Sequence, residues 1–175
     1  RGKDNLVRCS SLTRLVTFII GVVVPMTACS PSAGDLPPGS AEILWDTWGV
    51  PHVYAGDDEA LFKAFGRAQM RSHADLILEL YGQARGRAAE YWGDEGLDSD
   101  RWVRTMGIFE RSQRWYDDQT PEFRRLLDAF AAGMNEYAEA HGEQISERAR
   151  RVLPIDAVDV LAHTQRVIHF SFVAR

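Results

Sequence analysis

Strand-like sequence in this chain is confined to one short stretch, and that limits the possible fold more than any other feature. Glu42-Ile43-Leu44-Trp45 and His52-Val53-Tyr54-Ala55 are rich in β-branched and aromatic residues. Between them lies Asp46-Thr47-Trp48-Gly49-Val50-Pro51, whose Gly and Pro mark a turn. Two such strands cannot form a stable sheet alone. They require strands from elsewhere, and the rest of the sequence does not supply them.

Beyond this pair the apolar spacing is helical. Asp57 or Asp58 can cap a helix by accepting from its first free N–H groups. Leu61, Phe65 and Ala68, continued by Leu76 and Leu80, predict one long or slightly broken helix to about Ala84. Gly82, Gly86, Gly93 and Gly96 make the next stretch irregular, with a short helical turn at Arg87 to Trp92. Thr120-Pro121-Glu122 is a strong helix start: Thr caps, Pro is tolerated at the first helical position and Glu suits the positive end of the dipole. Phe123, Leu127, Phe130, Met134 and Tyr137 then share one side as far as His141-Gly142. Pro154 is read as opening a last helix in the same manner, striped by Ala157, Val160, Leu161, Thr164, Val167, Ile168, Ser171 and Phe172. The expected class is α+β, with this chain mainly α-helical and its β element short and N-terminal.

Residues 1–29 have a different character. Basic residues through Arg14 precede the apolar run from Leu15 to Met26, and small residues lead to Cys29, the shape of a secretory signal peptide. A spanning helix needs roughly 20 apolar residues, more than this run holds. The expected destination is the periplasm or cell envelope. Met26-Thr27-Ala28-Cys29 also matches a bacterial lipoprotein box, apart from Met in place of the usual Leu. Two outcomes stay open: Cys29 is lipidated and attaches the protein to the membrane, or the signal is cut after Ala28 or Ala33 without lipid. Residues 30–40, rich in Pro, Ser, Gly and Ala, read as a flexible linker, leaving 41–175 as the folded region. Both cysteines, Cys9 and Cys29, precede that region. Its stability must therefore come from packing or a partner rather than disulfides.

The charge argues against a nucleic-acid partner. Without the first 29 residues, 16 basic residues face 24 acidic ones, a balance of -8, the reverse of the basic face that phosphate contacts require. Among His52, His73, His141, His163 and His169, none lies three or four residues from another, so no helix face presents a zinc pair. A capped helix start accounts for Asp57-Asp58-Glu59 more simply than a cation site does. His73 with Asp75, and Ser72 with His73, diverge on a helix and cannot form a nucleophile and base pair. There is no Gly-x-Ser-x-Gly elbow, and the glycines of 82–86 and 93–96 lack the Lys and Ser or Thr of a phosphate loop. From the residues alone the chain is an exported helical region without a catalytic group, cofactor site or metal site.

Several ordered motifs go further. Asp46-Thr47-Trp48-Gly49-Val50-Pro51-His52-Val53-Tyr54-Ala55, then Asp57 to Leu61 and Gly66-Arg67-Ala68-Gln69, resemble the start of the α subunit in the penicillin acylase and acyl-homoserine-lactone acylase family. Gly86-Arg87-Ala88-Ala89-Glu90-Tyr91-Trp92-Gly93 is similar to that family's second block, and Asp100-Arg101 with Arg104-Thr105-Met106-Gly107 continues it. Ala132-Gly133-Met134-Asn135-Glu136-Tyr137 resembles an Ala-x-Gly-x-Asn-x-Tyr helix, and Leu153-Pro154 with Asp156 and Val158 a Pro-x-Asp entry to the last α-subunit helix. The resemblance runs from about Ala41 to Phe172.

It implies an αββα N-terminal nucleophile hydrolase when complete. A precursor cuts itself, and the new N-terminal Ser of a β subunit attacks an amide carbonyl of an N-acylated small molecule such as a penicillin or an N-acyl-homoserine lactone. That Ser is expected in the β subunit, a partner from the same precursor, and not in this chain; Gly39-Ser40 precedes the α-subunit motifs and is rejected as the cleavage pair. Aligned from Pro154 without gaps, the resemblance puts Gln165, Ile168 and His169 at acyl-pocket positions, and Phe172 with Ile168 suits an apolar acyl tail. The bland reading of Ile168 is core packing, and of His169 a satisfied or solvent-facing side chain. A cation ligand that some members place just beyond this helix falls near Arg175, so calcium is not supported. Two other readings stay open: an inactive truncated fragment, and a lipid-anchored helical binding protein of the envelope.

Overall fold

The structure is a computed structural model that describes residues 36–173. The signal segment, Cys29 and Arg175 lie outside the described residues. The chain opens with an antiparallel hairpin, β1 (Ala41–Trp45) against β2 (Pro51–Ala55), in the register Ala41 with Ala55 and Trp45 with Pro51. Asp46 makes the connecting turn. Its Oδ1 accepts from the N–H groups of Trp48 and Val50 at 2.8 Å, and Gly49 takes φ +77°, which a side chain would oppose. These bonds hold the Asp46 carboxyl below its ordinary range, the Val50 N–H being the largest cause.

Helices supply the remaining elements. In chain order they are α1 (Asp58–Ala84), α2 (Ala88–Trp92), α3 (Leu97–Thr105), α4 (Ile108–Asp117), α5 (Pro121–Ala140), α6 (Glu147–Arg150) and α7 (Ala157–Ile168). A π-helical turn, His169–Val173, follows α7. Asp57 caps α1 by accepting from Ala60 N–H at 2.8 Å, and α1 is bent at His73, where φ is -148° and ψ 36°. The expected long, slightly broken helix to Ala84 is therefore observed. The last part of the 30–40 stretch meets this cap: Gly39 N–H donates to Asp57 Oδ2 at 2.5 Å.

The face that α1 buries differs from the one its large apolar residues predict. Phe65 and Leu76 are exposed, while Ala60, Ala64, Gly66, Ala68, Met70 and Leu78 face inward. The reason lies in α5, which packs along α1 in the same direction at very close approach. A Cβ on Gly66 would overlap the carbonyl of Phe130, and one on Gly133 the carbonyl of Lys63. Backbones this close admit only small residues, and so the bulkier ones turn outward. Glu136 ties the same pair by bonding Lys63 and Arg67, each at 2.5 Å. α5 begins as expected, with Thr120 Oγ1 accepting from Phe123 N–H at 3.3 Å and Pro121 in the first turn. Its Phe123, however, is exposed.

The start of the last helix needs correction. Pro154 does not open α7. It follows a cis bond from Leu153 in the preceding loop, and Asp156 is the cap, its Oδ1 accepting from Asp159 N–H at 3.0 Å while Asp159 Oδ2 accepts from Asp156 N–H at 2.9 Å. That reciprocal pair is a capping box closed by two carboxylates. The core gathers Met70, Leu78, Tyr81, Ala131, Met134, Ile145 and Val152 between α1, α5 and the 145–155 segment. A smaller cluster joins Ala84, Val103, Ile108 and Ala162, and seats α7 on α1, α3 and α4.

Candidate functional site

The residues expected to meet an acyl group all sit at the far end of α7 and in the turn beyond it, so the site is built from what holds that helix. At its first turn Arg85, just past the end of α1, has every guanidinium N–H engaged. Nε and Nη2 donate to the two Asp159 carboxylate oxygens at 2.6 Å, Nη2 also to Pro154 O at 2.7 Å, and Nη1 to Val152 O at 2.6 Å and Tyr91 Oη at 2.9 Å. The Arg85 and Asp159 side chains are 12% and 1% exposed. Burial opposes the charge on Arg85, but the Asp159 carboxylate outweighs it and raises the guanidinium above its ordinary range. Burial pushes the Asp159 carboxyl upward while the Arg85 bonds pull it down; the forked two-bond geometry is that of the ionised pair. Burial also raises the nearby Tyr81 phenol, with help from the Asp159 charge.

Farther along, Arg166 Nη2 donates to Gln83 Oε1 at 2.7 Å, and its guanidinium lies 4.7 Å from the centre of the Phe170 ring. Burial lowers the Arg166 guanidinium, and burial followed by the Arg166 charge lowers the His163 imidazole. The His163 ring packs on the Tyr81 ring, 5.5 Å between centroids.

The four expected pocket residues divide into two pairs. Gln165 is 2% exposed, and its Nε2 is buried without a hydrogen-bond partner among the described residues. His169 is half-buried. Its Nε2 lies 2.7 Å from Arg111 Nη1, and because a guanidinium can only donate, Nε2 is the acceptor and the ring proton sits on Nδ1. The His169 ring stands edge-on to Trp102 at 6.3 Å, and Phe170 stacks on the same Trp102 at 4.2 Å. Ile168 and Phe172, by contrast, face outward, 40% and 80% exposed, with Val167 and Val173 beside them. The structure thus leaves Gln165 buried, His169 half-buried against Arg111, and the two apolar residues uncovered. A cleft of about 440 Å³ lies nearby, but Arg85, Arg104, Glu90, Glu110 and Asp156 line it and none of the four expected residues does.

Several of the motif residues hold the fold together. Asp100 caps α2 by accepting from Ala88 and Ala89 N–H at 2.7 and 2.9 Å. Arg104 Nε donates to the Gly86 carbonyl at 2.9 Å, and Gly86 itself takes φ +66°. Asn135 brackets Ile155, accepting from its N–H at 2.9 Å and donating to its carbonyl at 2.8 Å. Arg85 and Asp159 were not singled out by the sequence. The available signal was Asp159 itself, a lone carboxylate between Val158 and Val160 in an otherwise apolar stripe, which needs a buried partner.

With the geometry in place, the chain can be set beside known proteins. The model of the family described as Penicillin amidase matches residues 40–173. Penicillin acylase 2 proenzyme of a Pseudomonas species is 29% identical over 92 residues, covering 53% of this chain and 12% of that protein. Acyl-homoserine lactone acylase QuiP of Pseudomonas putida is 37% identical over 79 residues, 45% of this chain and 10% of its own length. Acyl-homoserine lactone acylase PvdQ of Pseudomonas savastanoi is 25% identical over 158 residues, 84% of this chain and 20% of its own. The chain therefore spans between a tenth and a fifth of these relatives. Among solved structures, thermostable penicillin G acylase from Alcaligenes faecalis superposes with a TM-score of 0.68 at 21% identity, covering 78% of this chain and 75% of that one. The fold is shared with that chain.

Proposed function

The chain belongs to the penicillin amidase family, and we propose on that basis that it is the α-subunit portion of an exported acylase. The enzyme would hydrolyse the amide bond of N-acylated small molecules, penicillins or N-acyl-homoserine lactones, the substrates named in the relatives above. One observation carries this reading. The family model matches residues 40–173, and motif residues such as Asp100, Arg104 and Asn135 serve caps and loop contacts, which supports a reading in which the chemistry comes from a companion.

In the proposed mechanism a precursor cleaves itself and exposes an N-terminal Ser on a β subunit in an αββα fold. A free α-amino group has a pKa near ~8, far below that of Lys, and can take the Ser hydroxyl proton at neutral pH. The resulting alkoxide attacks the amide carbonyl while backbone and Asn donors in the β subunit hold the oxyanion; the C–N bond then breaks, the amine leaves with the proton the α-amino group had taken, and water hydrolyses the acyl-Ser ester to the free acid. This chain's part is to complete the fold and shape the acyl pocket. Ile168 and Phe172 meet the acyl tail, and Gln165 and His169 add polarity at its wall. Export by residues 1–29, with attachment through a lipidated Cys29, places the enzyme in the periplasm or at the envelope membrane.

The test is expression of the complete reading frame, followed by mass spectrometry of the mature chains and assays on phenylacetyl amides and acyl-homoserine lactones. Two chains and amide hydrolysis that vanishes when the β-chain N-terminal Ser is changed to Ala support the proposal. A single uncut chain without hydrolysis refutes it.

A further inference from the structure

Gln83 and Arg85, at the C-terminal end of α1, hold α7 at two points. Arg85 grips Asp159 in the first turn, Gln83 accepts from Arg166 near the last, and Ala84 and Ala162 share a buried cluster between them. The two points are seven residues apart, about 10 Å along the helix. Two fixed points define a direction. Neither is needed to make α7 helical, because the capping box of Asp156 and Asp159 closes within the helix itself. Their effect is on where the helix points. Ile168, His169 and the π turn begin immediately past the second point, so a tilt about Asp159 displaces them most.

We propose that Gln83 and Arg85 are positioning residues which set the axis of α7 and, through it, the place of Ile168, His169 and Phe172 in the acyl pocket. The pocket half of this statement rests on the acylase reading above. Neither residue touches the acyl group. Gln83 can be varied in both directions: Gln83→Leu removes the acceptor for Arg166, whereas Gln83→Glu keeps it and adds a charge-assisted bond. Arg85→Lys retains the charge at the first point but loses the fork that matches a carboxylate.

The experiment uses the complete, matured protein and two readouts. One is kcat and KM on acetyl, hexanoyl, dodecanoyl and phenylacetyl amides of a chromogenic amine; the other is amide hydrogen exchange in α7 and the π turn against α5. For Gln83→Leu, KM for the preferred acyl chain rises about tenfold and the order of preference among chains changes, while kcat stays within about threefold, as misplacement of a binding wall requires. Exchange quickens in 160–173 and not in α5, and Gln83→Glu restores both. Arg85→Lys acts in the same direction and more strongly; if it fails to accumulate, the Gln83 variants decide. Quickened exchange spread equally over α5 and α7 overturns the proposal, since that is a loss of stability. Unchanged KM and acyl preference with altered α7 exchange also overturns it, because the pocket then does not follow the helix. A wild-type protein inactive on every amide removes the acylase reading instead. Exchange alone then judges the clamp: confined quickening sustains it, and none refutes it.

Discussion

Gly66 and Gly133 read in the sequence as helix-weakening residues within a recognisable motif, and nothing short of the partner helix shows why they stand there. Each lies where a Cβ would run into the carbonyl of the opposite backbone, Phe130 in one case and Lys63 in the other. Gly133→Ala is accordingly expected to destabilise the protein by about 1–3 kcal/mol despite its better helix propensity, because a backbone cannot give way as a side-chain tip can. Thermal unfolding of the purified variant checks this, and an unchanged or higher midpoint would show that α1 and α5 separate freely. Asp57 was legible as a cap, and the structure adds a second bond from Gly39. The Ala60 and Gly39 N–H groups, in that order, lower its carboxyl below the ordinary 3.8. A lowered carboxylate contributes stability above its unfolded value and loses it as pH falls through the folded one. Asn keeps the cap but not the titration, so the stability gap between wild type and Asp57→Asn should narrow as pH drops below about 4. Melting curves across that range measure it; a gap that widens instead contradicts the assignment.

Elements whose signal is local were readable, and those that depend on tertiary burial were not. The hairpin turn at Asp46 and Gly49, the caps at Asp57 and Thr120, and the length of α1 follow from near neighbours in the chain. α3 and α4 gave no helical signal, because charged residues dominate them and only Val103, Ile108 and Ser112 are buried against the rest, with Asp100 turned to a cap. Pro154 misled for a related reason: its ring suits a helix start, but the loop to α7 is shaped by Arg85 reaching 69 residues along the chain to the Pro154 carbonyl. That long-range clamp makes a prediction at the scale of helix docking. Removing one member of a buried ion pair leaves the other uncompensated, so Arg85→Met should cost about 3–5 kcal/mol. Asp159→Leu added to it should cost less than the two single changes together. Denaturant unfolding of the four proteins in this cycle gives the coupling directly, and strict additivity would mean that Arg85 acts through Val152, Tyr91 and Pro154 alone.

Among the described residues, exposed apolar side chains lie next to one another at the hairpin, where Trp48 is 88% exposed beside Val50, and at the end of α7. A two-stranded sheet with both edges free and an apolar helix end are what a larger fold supplies neighbours for. The site's outer half was therefore legible from the sequence as a stripe and a resemblance, while its inner half, Gln165 facing the interior and His169 fixed by Arg111, depended on packing. Under the proposed function Ile168 has two candidate uses, meeting the acyl tail or packing against the proposed companion polypeptide, and the two separate cleanly. Under the proposed function, Ile168→Ser lowers kcat/KM for a dodecanoyl amide by roughly tenfold or more and leaves an acetyl amide nearly unaffected, since a pocket's discrimination scales with the apolar groups it contacts. If Ile168 is instead an interface residue, the yield of the matured protein falls and every acyl chain loses rate alike. Steady-state assays with both amides, normalised to matured enzyme, tell them apart: a loss that grows with acyl length places Ile168 in the pocket wall, and a uniform one places it between the chains.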